Sequence, residues 1–344
     1  MTERVLSERE LNRALLARQL LLARAPIAIP RALERMGGLQ AQYAPSMYIG
    51  LWSRVEGLER DALTRALERR SVVQGTLMRS TIHLVSARDY WPLALAVQGQ
   101  RRAWWLKVNR DGLGARDMSA AARKLRPRLA GATLRRSEIE ELVGKRPAAG
   151  ISHWLHVVRA PPSGTWERRR ADLFALAEDW IGPAEVAHDE AVDHAVRRYL
   201  GGFGPATLGE IANWAGVPIG TIAPALARLR LRRFASEDGE ELVDVPRAAL
   251  PDPETPAPVR LLGTWDAILL AHARRAEILP ERHRARVFHV RMPQSVPTFL
   301  VDGAVAGTWR YEGGRVTLDP FERLDGATLR ALREEGERMA TFHA

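Results

Sequence analysis

Thr207 and Glu210 stand three residues apart at the head of an apolar run. That spacing makes a capping box, in which a hydroxyl and a carboxylate reciprocally satisfy two backbone N–H groups at a helix start. Ile211, Trp214 and Ala215 follow at helical spacing. Gly216-Val217-Pro218 then stops the helix, because Gly reaches left-handed backbone easily and Pro cannot continue a helix. Ile222 to Leu231 predicts a second helix. It runs into Arg232-Arg233-Phe234 and then Glu237-Asp238-Gly239-Glu240, a turn between two short strands. Two short helices across a tight turn, followed by a β-hairpin, give the outline of a winged helix-turn-helix. No other stretch restricts the fold as closely.

The same outline recurs twice upstream, without a strict sequence repeat. Ser7 with Glu10 makes another capping box and opens a helix within residues 7–24. Pro30 starts a short helix ended by Gly37-Gly38, and residues 40–54 read as helical with Met47, Leu51 and Trp52 on a buried face. Asp61 caps a further helix through Leu67. Ser71 to Val85 is then rich in β-branched residues, with Gly75 as a bend. Residues 87–109 read as a helix carrying Trp91, Trp104 and Trp105, and Asp111-Gly112-Leu113-Gly114 as a loop. In the second copy, Thr133 to Gly144 is a short helix after a turn and Ile151 to Arg159 a second helix or a strand. Pro161-Pro162-Ser163-Gly164-Thr165-Trp166 forms the wing tip.

Beyond the third copy, Pro246 to Pro258 is dense in proline and reads as a linker. Val259 to Leu262 predicts a strand, and Trp265-Asp266 leads into a short helix ending near Arg274-Arg275. Val296 to Val301 and Val305 to Tyr311 flank a hairpin signal at Asp302-Gly303. Arg315 to Leu318 continues that sheet, and Asp325 to Met339 is a charged helix. The expected fold class is α+β, mainly α: three tandem winged-helix motifs at residues 1–110, 111–190 and 191–250, then a C-terminal β-containing segment at 251–344.

Charge points to the partner. The chain carries a formal net charge of +10, favouring a polyanion. Its cations are nearly all Arg, the only lysines being Lys107, Lys124 and Lys145. Arg forks onto phosphate and guanine, although a GC-rich genome also writes Arg for Lys. Cys is absent, which excludes disulfides, thiolate metal sites and a Cys nucleophile and fits the cytoplasm. With no signal peptide and no uninterrupted apolar span, we expect no membrane contact. Nothing reads as a coiled coil or dimer helix, so a monomer is expected.

The chemistry is sought in Met36-Gly37-Gly38-Leu39-Gln40-Ala41-Gln42-Tyr43-Ala44-Pro45. Two amides stand at i and i+2, and neither fits an amphipathic pattern. An amide does not titrate. It offers a carbonyl acceptor and an NH2 donor, suited to holding a water or a polar edge rather than to strong acid-base work. The bland alternative is that both amides bridge backbone in a turn. Arg79, Ser80 and Thr81 precede a strand edge and are candidate phosphate contacts or a solvated edge. His83, alone within an apolar strand, is structural or a weak DNA contact. Asp266 reads more readily as the partner of an Arg than as a catalyst. Arg168-Arg169-Arg170 is a phosphate contact or, preferred, a solvated helix start. His153 and His156 lack a third ligand, so no metal is expected, and no Walker loop, nucleotide fingerprint or nucleophile elbow occurs. No cofactor is expected.

Taken together, these stretches resemble the bacterial tandem winged-helix DNA glycosylases of the AlkZ and YcaQ kind. The resemblance rests on Gly38-Leu39-Gln40-Ala41-Gln42, Gly50-Leu51-Trp52-Ser53-Arg54 and Met78-Arg79-Ser80-Thr81-Ile82-His83-Leu84-Val85. It continues through Tyr199-Leu200, Phe203-Gly204-Pro205-Ala206-Thr207, Arg260-Leu261-Leu262, Trp265-Asp266, Phe299-Leu300-Val301-Asp302-Gly303 and Val305-Ala306-Gly307-Thr308-Trp309. It spans nearly the whole chain and implies three winged-helix units wrapping DNA in a basic channel. It also implies hydrolysis of the N-glycosidic bond of alkylated, cationic N7 or N3 purines in double-stranded DNA. Bulky natural-product adducts and interstrand crosslinks fall within that class, as DNA repair or antibiotic self-resistance. Gln40 and Gln42 stand at the family's catalytic signature. This chain has Tyr43-Ala44-Pro45 where an Asp-Pro continuation is common, and Ala41 is the smallest aliphatic at the middle position. Both features bear on which lesions are accepted. The competing expectation is a non-catalytic winged-helix protein, a transcriptional regulator or one that sequesters lesions.

Overall fold

The computed structural model describes residues 4–109, 112–270, 275–289 and 292–344. Asp111, and the expected helix end at Arg274, lie outside the described residues. Thr207 caps as its spacing predicts. Its Oγ1 accepts the Glu210 N–H at 3.1 Å, and the Glu210 carboxylate accepts the Thr207 N–H at 2.9 Å. The helix Leu208–Ala215 ends on left-handed Gly216, and Ile219–Arg228 is the second helix. Strands Arg232–Ser236 and Glu241–Asp244 pair antiparallel, and Ala206 bridges Val243 from the other side. With the preceding helix His188–Phe203, the order is helix, short strand, two helices, two strands. The N-terminal strand Val5–Leu6 joins this sheet in parallel with Arg232–Ser236, so residues assigned to the first unit help build the third.

The same order appears at Ile29–Met36, Leu39–Gln40, Ala44–Trp52, Arg60–Glu68, Val72–Thr76 and Ile82–Ser86. The helix expected from residue 40 starts only at Ala44, and Gln40 lies on a strand opposite His83. The reason is local. The Ala41 N–H donates to the Ile82 carbonyl at 2.8 Å, so this backbone is satisfied by a sheet neighbour, while Pro45 sets the helix start. Glu59 rather than Asp61 takes the cap position of the next helix, and Asp61 falls in its first turn. Gly75 is no bend. It lies within the strand Val72–Thr76, and a Cβ there would come within 2.5 Å of the Tyr90 ring.

The second copy runs Ala115–Leu129, Thr133–Arg135, Arg136–Val143, Lys145–Gly150, Val157–Arg159 and Leu173–Leu176. The helix expected from Thr133 begins only at Arg136, and Thr133–Arg135 is a strand that pairs with Leu173–Leu176. The strand Val157–Arg159 also pairs with Val72–Thr76, which fuses the first two units into one six-stranded sheet.

One apolar core runs from Leu15 to Met339 through the first unit, the third unit and the C-terminal sheet, while the second unit has its own around Leu125, Ile139 and Phe174. His188–Phe203 packs along Ala87–Val108, where buried Asp89 accepts from His194 at 2.9 Å and Arg198 at 2.8 Å. The C-terminal sheet orders Arg260–Leu262, Thr298–Val301, Ala304–Glu312 and Arg315–Pro320, with Gly326–His343 packed on it. Asp266 pairs with Arg54 through two bonds of 2.8 and 2.9 Å, both side chains fully buried, as the ion-pair reading expects. The proline-rich segment has no helix or strand, yet it is no loose tether. Arg13 donates to the Thr255 carbonyl at 2.7 Å and Arg18 to the Ala249 carbonyl at 2.9 Å. Among the described residues, no helix is long and apolar enough to cross a membrane.

Candidate active site

Gly37 and Gly38, both left-handed, turn the chain out of the helix Ile29–Met36 and into the strand Leu39–Gln40. Leu39 enters the core, and Gln40, only 6 % exposed, lies against the loop that joins the strands Val72–Thr76 and Ile82–Ser86. Gln42 follows in the bend before the helix Ala44–Trp52 and is exposed.

Each amide has its oxygen engaged. Gln40 Oε1 accepts from Arg79 Nη2 at 3.3 Å, and Gln42 Oε1 accepts the Ile82 N–H at 3.2 Å. A guanidinium and a backbone N–H are donors only, so the atom facing each must be oxygen, and chemistry fixes both amide orientations. Each oxygen keeps a second lone pair, and each NH2 is turned away from the group that holds its oxygen.

Of the residues expected beside the pair, Arg79 is the most constrained. Its Nη1 donates to the Trp214 carbonyl at 2.6 Å while Nη2 holds Gln40. Desolvation lowers its pKa to about 10, which leaves it a cation at neutral pH. Ser80 and Thr81 are half-buried in the same loop, where the Thr81 hydroxyl donates to the Met78 carbonyl at 3.1 Å. His83 is 3 % exposed, so it presents no surface to a phosphate as the chain stands. Its Nδ1 meets the Thr81 carbonyl at 3.1 Å, which puts the proton on Nδ1. Burial, then the Arg79 charge, push its pKa down to about 3 and keep the ring neutral.

Two residues named in the sequence for other reasons prove to be neighbours of the pair. Tyr43, 41 % exposed, follows Gln42 directly, and Arg169 Nη1 donates to its hydroxyl at 3.1 Å. Arg168-Arg169-Arg170 is not a helix start but the tip of the loop between Val157–Arg159 and Leu173–Leu176. Trp166 in that loop is buried against Tyr48 and Phe342, and Gln74 Nε2 donates to the Gly164 carbonyl at 2.8 Å. These anchors bring the second unit's loop beside the Gln pair. The exposed aromatic after the motif was a visible signal; the loop's placement depends on contacts 90 or more residues apart.

The arrangement suits neutral hydrogen bonding and not proton transfer. His83 is neutral with its Nδ1 proton on the Thr81 carbonyl, and the chain's three lysines lie on the helices Ala87–Val108, Ala115–Leu129 and Lys145–Gly150, none of which carries the pair. A hollow of about 670 Å³ beside Thr207, Glu237 and Arg275 includes neither Gln.

An interstrand DNA cross-link repair glycosylase of Streptomyces sahachiroi is 24 % identical, over 94 % of this chain and 93 % of that protein. The solved structure of the Streptomyces sahachiroi DNA glycosylase AlkZ superposes with a TM-score of 0.83 at 20 % identity, over 98 % of this chain and 97 % of that one, which shows a shared fold. A family model described as DNA glycosylase AlkZ-like matches residues 33–342, from within the helix Ile29–Met36 to the last helix. With most of its length inside that match, the chain belongs to the AlkZ-like family of DNA glycosylases.

Proposed function

We propose that this glycosylase hydrolyses the N-glycosidic bond of cationic N7- or N3-alkylated purines in duplex DNA, with Gln40 and Gln42 as its catalytic groups. The observation that carries the reading is that the motif presents two neutral amides of fixed orientation, each with an oxygen lone pair and an NH2 still to offer. Such a site suits a leaving group that is already activated. In an alkylated purine the ring carries a positive charge, and the C1′–N9 electron pair departs onto that ring, leaving it neutral. No general acid is then needed at the base. The sugar develops oxocarbenium character, a water adds its oxygen to C1′, and its proton passes to solvent. The amides place that water through their remaining lone pairs, with Gln42, the exposed one, nearer to it and Gln40 supporting. Positioning and a preorganised dipole both accelerate such a step. With no lysine at the motif, the reaction proceeds without a Schiff base and is monofunctional.

We further propose that the three repeated units are winged-helix modules that hold DNA in a basic channel. Ser80, Thr81 and the loop carrying Arg169 would lie toward the phosphates. The Streptomyces sahachiroi relative is named for interstrand DNA cross-link repair, which supports counting interstrand crosslinks among the substrates; bulky natural-product adducts, and self-resistance beside repair, belong to the same proposal. The test is base release from a duplex carrying one N7-alkylguanine, by wild type, Gln40→Ala, Gln42→Ala and the double variant. We expect each single variant to lose about 10²-fold or more, the scale of removing one preorganised group. Release by the double variant at the wild-type rate would leave a DNA-binding protein whose chemistry, if any, lies elsewhere.

A further inference from the structure

We propose that Arg79 is a positioning residue: anchored on the third unit, its guanidinium fixes the orientation of the Gln40 carboxamide. The inference rests on the reading of Gln40 as catalytic.

Three independent features place the guanidinium. The first is its fork. Nη1 is held at 2.6 Å by the Trp214 carbonyl, at the end of the helix Leu208–Ala215, and Nη2 reaches Gln40 Oε1 at 3.3 Å. A planar guanidinium meets two such acceptors together in one orientation only, which a lysine ammonium cannot reproduce. The second is the backbone. Arg79 and Ser80 both adopt left-handed φ, 50° and 60°, although neither is glycine. Such a backbone is strained in a residue with a Cβ and persists where its surroundings over-determine it. The third is the approach of the third unit. Gly216, at φ 72°, lies so close that a Cβ there would be 2.9 Å from both the N and Cα of Arg79. The turn between the third unit's two helices is thus pressed onto the Arg79 backbone.

A phosphate contact has different needs. It requires an exposed head on a mobile stem, whereas this guanidinium is half-buried with both ends engaged. Holding Gln40 Oε1 also decides what the amide offers a substrate: its NH2 and a single oxygen lone pair. Without Arg79 the carboxamide is free to rotate, and a small misplacement is enough to slow a positioned reaction by about 100-fold.

The test compares wild type, Arg79→Ala, Arg79→Lys, Gln40→Ala and Arg79→Ala/Gln40→Ala. The readouts are single-turnover base release from an N7-alkylguanine duplex and duplex affinity across a salt series. We expect Arg79→Ala to slow release by about 10- to 100-fold at saturating enzyme, while the affinity and its salt slope stay at wild-type values. Arg79→Lys, which keeps the charge but not the fork, recovers only a small part of the rate. In the Gln40→Ala background the Arg79 change costs nothing further, since residues acting through one another are not additive. If Arg79→Ala does not fold, the lysine variant carries the same test. A uniform loss of affinity with the salt slope reduced by about one would make Arg79 a phosphate contact and overturn the proposal. A full additional loss on top of Gln40→Ala would overturn it as well. If Gln40→Ala itself releases base like wild type, it is the catalytic reading of Gln40 that fails, whatever Arg79 does.

Discussion

Two carboxamides and the groups that turn them are the smallest unit of this account, and none of them titrates near neutral pH. Gln40 and Gln42 carry no proton to exchange, and His83 is held down to about 3. Base release is therefore expected to be level between about pH 6 and 9 in single-turnover measurements; a bell-shaped profile would point to an acid and a base not seen at the motif. Stability behaves differently. Burial first, and neighbouring arginine charges second, lower His83 to about 3 and His153, His156 and His343 to about 4, against an ordinary value near 6.5. Between those values the unfolded chain binds protons that the folded chain does not, so stability is full above about pH 6.5 and falls as the pH drops. The thermal midpoint should decline below about pH 6.5, and less steeply for His83→Asn; an unchanged slope in that variant would deny His83 its share. At this scale the sequence was informative about residue type and silent about orientation. That Gln40 and Gln42 were unusual could be read from their neighbours. That Arg79 faces inward, onto a carbonyl 135 positions away, could not, because nothing local encodes Trp214 as its partner.

Among the elements, those with strong local chemistry were readable. Thr207 with Glu210 and Ser7 with Glu10 cap helices as their spacing predicts, and Asp302-Gly303 turns the C-terminal hairpin. Thr207→Ala should lower stability by about 1 kcal/mol in denaturant unfolding, the usual value of an N-cap. Among the short strands, Arg260–Leu262 was readable from its apolar run, whereas Leu39–Gln40 and Thr133–Arg135 were not. These two are too short to show a period and exist because a partner strand satisfies them. The helix Lys145–Gly150 was missed for a similar reason, since Pro147 and Gly150 leave no apolar repeat. Long-range polar pairs join what the elements leave separate. Arg54 and Asp266, 212 residues apart, are both fully buried and tie the helix Ala44–Trp52 to the C-terminal sheet. Asp266→Ala strands a buried guanidinium and should cost about 3–5 kcal/mol. A loss under 1 kcal/mol would mean that water reaches Arg54.

For the whole molecule, the net charge of +10 gives the expected partner, and the fold gives the charge a geometry. The first two units share one sheet, and the third closes onto the Arg79 loop, so the Gln pair lies where the first unit meets the third. The repeated outline was legible from turns and caps. The fusion of the strands Val72–Thr76 and Val157–Arg159 into one sheet was not, because it depends on Gln74 and Gly75 meeting Val158 and Arg159 across the fold. Arg169, on the exposed loop that reaches Tyr43, is a surface cation in contact with the motif. Arg169→Ala should weaken duplex binding and reduce the slope of log affinity against log salt by about one. An unchanged slope would place the DNA elsewhere.

The central claim is that two neutral amides serve only a base that already carries positive charge. It is tested most directly by one comparison: single-turnover release of N7-methylguanine and of hypoxanthine, an uncharged purine, from the same position in the same duplex. We predict enzyme-dependent release of the cationic base and none of hypoxanthine above the rate without enzyme. Comparable release of both would require a group that protonates the leaving base, and the neutral-amide site would not be the whole of the catalytic machinery.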